Sequence, residues 1–132
     1  MNAVVVTRPG FLTTVQDLGR PGHAAAGVSA SGAADPVALR IGNRLLGNDE
    51  AAPALEMTLV GGAFRFESDG VIALAGAEAQ ARLGDRPVAP WRACPVRAGE
   101  TRQSVSYKRA RTSGANHEAC GPSVTRKGSP GR

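Results

Sequence analysis

Turn residues punctuate this chain at short intervals: 17 glycines and nine prolines stand among 132 residues. That spacing favours a turn-rich β protein over a helical bundle. The runs between the turns read as short strands. Val4-Val5-Val6 is β-branched, Arg8-Pro9-Gly10 turns it, and Thr13-Thr14-Val15 resumes extended structure. Residues 55–60 read as a further strand, closed by Gly61-Gly62. Phe64 and Phe66 alternate with Arg65 and Glu67, the period of a half-buried strand. Asp69-Gly70 is a hairpin signal, and residues 71–75 return from it. Residues 79–83 follow, with a turn at Gly84-Asp85 and Val88 beyond. Aromatic residues are only 4% of the chain, so Ala, Val, Leu and Ile are expected to build the core. One helix among six or so short strands predicts a barrel or a sandwich.

The helix is signalled over residues 36–46. Asp35 can accept from the unpaired amides of a first turn, and Pro36 suits the first helical position. Val37, Ile41 and Leu45 recur every four residues and are expected to face the core, and Gly47-Asn48 ends the helix. Residues 19–32 are rich in glycine and irregular, and read as a long loop.

Charge divides the chain at about residue 100. Residues 1–100 hold nine Arg, no Lys and ten acids; residues 101–132 hold five Arg, two Lys and one acid. Only seven of the last 32 residues are apolar, with no alternation or helical stripe, so a disordered basic tail is expected there. A tail of this kind can bind nucleic acid through phosphates, but its single aromatic, Tyr107, offers no stacking pattern, so nucleic acid is not the expected partner. The same break is what a slipped reading frame after about Glu100 produces, with the coding DNA one or two nucleotides out of register encoding more barrel. No apolar run approaches 18 residues, and Met1-Asn2-Ala3-Val4 does not open a signal peptide, so a cytoplasmic chain without membrane partners is expected. Cys94 and Cys120 form no Cys-x-x-Cys pair, and His23 and His117 match no zinc spacing. Free thiols and no metal site are expected.

The residues narrow the possible chemistry. His23 is the only imidazole in the first 100 residues, and Val28-Ser29-Ala30-Ser31-Gly32 is not a Gly-x-Ser-x-Gly elbow. Arg126-Lys127-Gly128-Ser129 lacks the glycine spacing of a phosphate loop. The carboxylates carry more information. Asp17, Asp35 and Glu56 lie beside glycine-rich turns. Helix capping accounts for Asp35, and an exposed strand position accounts for Glu56. Asp17 and Arg20 flank Leu18-Gly19: either an ion pair between them shapes the loop, or Arg20 is presented to grip a carboxylate or phosphate with its two-pronged guanidinium.

At these residues the chain resembles a known family. Gly10-Phe11-Leu12-Thr13-Thr14-Val15-Gln16-Asp17-Leu18-Gly19-Arg20-Pro21-Gly22 is similar to the N-terminal signature of the 5-oxoprolinase C-subunit family, also named allophanate hydrolase subunit 2 or biotin-dependent carboxyltransferase domain proteins. Gly27-Val28, Ser31-Gly32-Ala33-Ala34-Asp35, Asn43-Arg44-Leu45-Leu46-Gly47-Asn48, Leu55-Glu56-Met57-Thr58-Leu59 and Ala73-Leu74-Ala75-Gly76-Ala77 follow in family order.

The resemblance covers about residues 3–100, which are taken as the N-terminal part of the domain, truncated relative to the family. Residues 101–132 are taken as non-homologous: they lack the family's Gly-x-Arg-x-Tyr-Leu-Ala-Val continuation. What the resemblance implies is a mainly β, partial cyclophilin-like barrel. It also implies partnership with a B-type subunit, and with an A-type subunit, in ATP-dependent opening of 5-oxoproline to glutamate or hydrolysis of a related amide such as allophanate. ATP is implied for the complex rather than for this chain, and the sequence is silent on biotin. Asp17, Arg20, Asp35, Asn43 and Glu56 are the candidate site residues, with Arg20 holding an anionic group and the carboxylates orienting a carbonyl or amide. A non-catalytic regulatory protein that engages a partner subunit, or an inactive gene fragment, is the alternative.

Overall fold

The computed structural model describes residues 4–100 in full and the backbone of residues 105–107 and 120–128. It is mainly β with one α-helix, as the turn spacing predicts. The strands are β1 (Val4–Arg8), β2 (Leu12–Gln16), β3 (Ala54–Thr58), β4 (Ala63–Phe66), β5 (Gly70–Ala75), β6 (Ala79–Leu83), β7 (Arg86–Val88), β8 (Ala93–Val96), β9 (Val105–Tyr107) and β10 (Cys120–Gly128); α1 spans Pro36–Leu46. They form three open sheets: β1 with β4, the order β2-β3-β10-β5-β8, and the order β7-β6-β9. The pairings given for these strands are antiparallel.

The core lies between the sheets. Met57, Phe64, Phe66, Ile72, Leu74, Ala81, Leu83, Val88, Cys94 and Val96 form one buried cluster. Two of the chain's three phenylalanines are therefore central to a core expected to be aliphatic. The alternation around Phe64 and Phe66 holds, since the intervening Arg65 is only partly buried and pairs with Glu67 at 2.7 Å. Among the described residues Cys94 is a free thiol, and it is buried.

Asp35 starts α1 as expected: its Oδ1 accepts from the Ala38 amide at 2.9 Å, and Gly47 closes the helix at φ 66°. The face it buries is not the expected one. Ala38, Leu39, Gly42, Asn43 and Leu46 point inward, while Val37, Ile41 and Leu45 are exposed. The helix packs on β5 and β10. Ala38 and Gly42 let its backbone approach that sheet closely, which a face of Val, Ile and Leu does not allow.

Residues 120–128, inside the segment expected to be disordered, run as a strand between β3 and β5. Strand pairing uses main-chain N–H and C=O groups, so a polar composition does not forbid it. Without β10, the facing edges of β3 and β5 stand open. Pro122, which has no N–H to donate, falls where the pairing with β3 shifts register between Cys120 and Ser123. Residues 105–107 pair with β6. The rest of the expected tail, with His117, lies outside the described residues.

Candidate functional site

The loop from β2 to α1 crosses itself, and the crossing makes a hollow. Asp17 follows β2 and folds its carboxylate back on the chain, with Oδ1 accepting from the Gly19 amide at 2.7 Å. The Asp17 carbonyl accepts from the Ala33 amide at 2.8 Å, and the Arg20 amide donates to the Ala30 carbonyl at 2.8 Å. These bonds tie the outgoing and returning arms together.

Glycine is required where the arms touch. A Cβ on Gly19 would lie 2.5 Å from the Ala30 carbonyl oxygen, and one on Gly32 would lie 2.7 Å from the Gly19 nitrogen. Both residues also sit at positive φ, 76° and 93°. Beyond the crossing, residues 20–30 hang outward with a single 3-10 turn, Ala24–Ala26. This is the long loop expected from the sequence, with its ends pinned together.

The hollow holds about 270 Å³. Gln16, Asp17, Gly19, Arg20, Ser31 and Gly32 line it, with Val15 and Pro53 as apolar walls. Ser31 is held at φ 51°, an uncommon conformation for a residue with a side chain. The expected ion pair between Asp17 and Arg20 is not formed. Asp17 turns to the nearby Gly19 amide instead, and no described residue forms a salt bridge with the exposed Arg20 guanidinium.

The other candidates lie behind the hollow or away from it. Glu56 is buried, 8% exposed, rather than on an exposed strand face. Its strand β3 is flanked by β2 and β10, and its Oε2 accepts from the Ala34 amide at 2.9 Å. Asp35, next along, caps α1. Glu56 and Asp35 thus fix the returning arm to the sheet and to the helix. Asn43 is fully buried and serves a different connection: its Nδ2 donates to the carbonyls of Ala52 at 2.7 Å and Glu50 at 3.2 Å. It pins the segment between α1 and β3.

Asp17 and Arg20 are therefore the two candidates that line the hollow. Gln16 and Ser31 line it as well and were not among the expected site residues. The sequence signal for them is the glycine pair at 19 and 32, which marks where two stretches of backbone meet. Among the described residues, no group of three or more His, Cys, Asp or Glu could hold a metal ion. No helix among them is long and apolar enough to cross a membrane.

The family model for the carboxyltransferase domain, subdomain A and B, matches residues 26–115. The chain belongs to the carboxyltransferase-domain family. Its relatives in that family include the 5-oxoprolinase C subunit of Escherichia coli (strain K12), 51% identical over 96 residues, which are 72% of this chain and 31% of that protein. Urea amidolyase of Lachancea kluyveri is 40% identical over 99 residues, covering 74% of this chain and 5% of that protein. The crystal structure of Kluyveromyces lactis urea carboxylase superimposes with a TM-score of 0.82 at 33% identity, covering 94% of this chain and 10% of that one. The chain spans about a third of the length of the Escherichia coli relative. The carboxyltransferase-domain match runs past the charge break at residue 100.

Proposed function

We propose that this carboxyltransferase-domain chain acts with partner subunits in ATP-dependent hydrolysis of 5-oxoproline to glutamate, or of a related amide such as allophanate. The observation that carries the reading is Arg20, a guanidinium without a salt-bridge partner among the described residues, at the wall of a hollow of about 270 Å³, in a chain 51% identical over 96 residues to a 5-oxoprolinase C subunit. A guanidinium binds a carboxylate through two parallel hydrogen bonds, and 5-oxoproline carries one carboxylate. In this reading Arg20 holds that group and Asp17 orients the amide. Glu56 and Asp35 keep the loop arm in place from behind, and Asn43 supports the segment after α1.

In this reading ATP belongs to the complex as a whole rather than to this chain. The reaction is placed in the cytoplasm. Arg20→Ala is expected to weaken 5-oxoproline binding by about tenfold or more, measured by calorimetric titration, with the melting temperature unchanged. Equal affinity in both proteins excludes Arg20 as the anion grip. Growth on 5-oxoproline tests the activity separately: this chain, supplied in place of a full-length relative, is expected to restore it.

A second reading, a non-catalytic protein that modulates its partner, draws on the use of Asp17, Asp35 and Glu56 as acceptors for backbone amides. Co-purification with a partner protein in the absence of growth complementation favours that reading.

A further inference from the structure

We propose that Gln16 sets the specificity of the hollow: its Oε1 accepts the N–H of a substrate amide whose nitrogen lies next to the carboxylate held by Arg20. The proposal rests on the reading of the hollow as the seat of an acidic amide, and adds which amides it takes. Gln16 is the last residue of β2 and pairs with Ala54, as Thr14 pairs with Glu56. Side chains two apart on a strand share a face, so Thr14 and Gln16 point the same way. The Gln16 Nε2 donates to the Thr14 Oγ1 at 3.1 Å, and both residues are partly buried. Among the described residues this is the one hydrogen bond of the Gln16 side chain. A carboxamide carries an NH2 donor and a separate acceptor oxygen. With Nε2 tied back along the strand, Oε1 is the atom left to receive a donor. The tie also orders the side chain before a ligand arrives, which lowers the entropy cost of binding.

The other polar side chains at the hollow belong to Asp17, Arg20 and Ser31. Asp17 orients the amide in that reading, with its Oδ1 already accepting from the Gly19 amide at 2.7 Å. In 5-oxoproline the nitrogen is bonded to the carbon that bears the carboxylate. In allophanate the carboxylate is on a nitrogen itself. Seating such an N–H directly on a second carboxylate would bring two like charges within a few ångströms. The neutral Gln16 oxygen accepts the same hydrogen without that repulsion, and it belongs to the hollow that Arg20 lines. The class of ligand is therefore a carboxylate with an amide N–H beside it. Lactones and N-alkylated amides are rejected, because they turn an oxygen lone pair or an alkyl group toward Oε1 and leave it unpaired.

The test compares 5-oxoproline with the lactone of the same shape and handedness, in which oxygen replaces the N–H. Calorimetric titration of the full chain is expected to show the lactam bound about tenfold or more tighter than the lactone. Gln16→Met keeps the length of the side chain and removes its acceptor, and is expected to narrow that preference to less than about threefold. Gln16→Glu restores an acceptor; its charge weakens both ligands, and the preference between them is expected to return. A merely structural role for Gln16 would weaken both ligands alike and leave their ratio unmoved. A wild-type chain that binds the two equally overturns the proposal, as does a preference that survives in Gln16→Met. Either result leaves Arg20 as the anion grip, whereas a wild-type chain that binds neither ligand overturns the reading of the hollow as well. A second measurement needs no variant: the side-chain NH2 resonances of Gln16 are expected to shift when the lactam is added and to stay in place with the lactone. Resonances unmoved by a bound lactam overturn the proposal.

Discussion

Asp17 and Glu56 each give a carboxylate oxygen to a backbone amide, and the two bonds support opposite arms of one loop crossing. Removing a buried acceptor leaves its donor unpaired, at a cost of about 1–3 kcal/mol. Glu56→Ala is expected to lower stability by about that amount, read from the midpoint of urea unfolding. Glu56→Gln keeps an oxygen that can accept from the Ala34 amide and is expected to cost less than half as much; equal losses for the two variants point to the charge of Glu56 instead. Asp35 was legible from the sequence because capping is local, complete within Asp35, Pro36 and Ala38. The burial of Glu56 was not, because it depends on neighbours brought in from distant positions: β10 pairs with β3 across more than 60 residues of chain. Asn43 stood out as a site candidate through family resemblance, and its hydrogen bonds to Glu50 and Ala52 give it a structural use.

At the scale of the element, α1 shows how a periodic pattern can identify a helix without identifying its buried face. Its start, its end and its length are as expected. Its outer stripe of Val37, Ile41 and Leu45 is more hydrophobic than much of the face it buries, where Ala38, Gly42 and Asn43 sit beside Leu39 and Leu46. Periodicity measures the side chains alone, whereas packing also depends on how near the two backbones come. Two substitutions separate the faces. Leu39→Ala is expected to cost about 2–5 kcal/mol, and Ile41→Ala to change stability by less than about 0.5 kcal/mol. Chemical denaturation of both variants checks this, and a larger loss at Ile41 contradicts the orientation of the helix. The β hairpins were more legible, since alternation and turn residues fix which way a strand's side chains point. The partner of β3 and β5 was not legible at all, because the strand between them comes from a segment whose composition signals disorder.

For the whole molecule, that strand makes one continuous sheet out of two pairs, β2 with β3 and β5 with β8. A chain ending at residue 100 is expected to lose cooperative unfolding and to aggregate, because two internal edges then lie open. Thermal unfolding with light scattering checks this; a sharp monomeric transition for residues 1–100 would show that β10 is dispensable. In the full chain, amide exchange in β3 and β5 is expected to be slower than in the loop of residues 20–30, where every residue from 21 to 30 is exposed. The same loop offers something quite different to an experimenter. Its ends are already joined by the bond from the Arg20 amide to the Ala30 carbonyl, beside the hollow. Lengthening a loop whose ends are fixed costs only about 0.6 kcal/mol per doubling. A short fluorescent or affinity sequence inserted after Ala25 thus stays outside the packed strands while reporting from next to Arg20. The self-crossing is a ready-made handle for observing the site without rebuilding it.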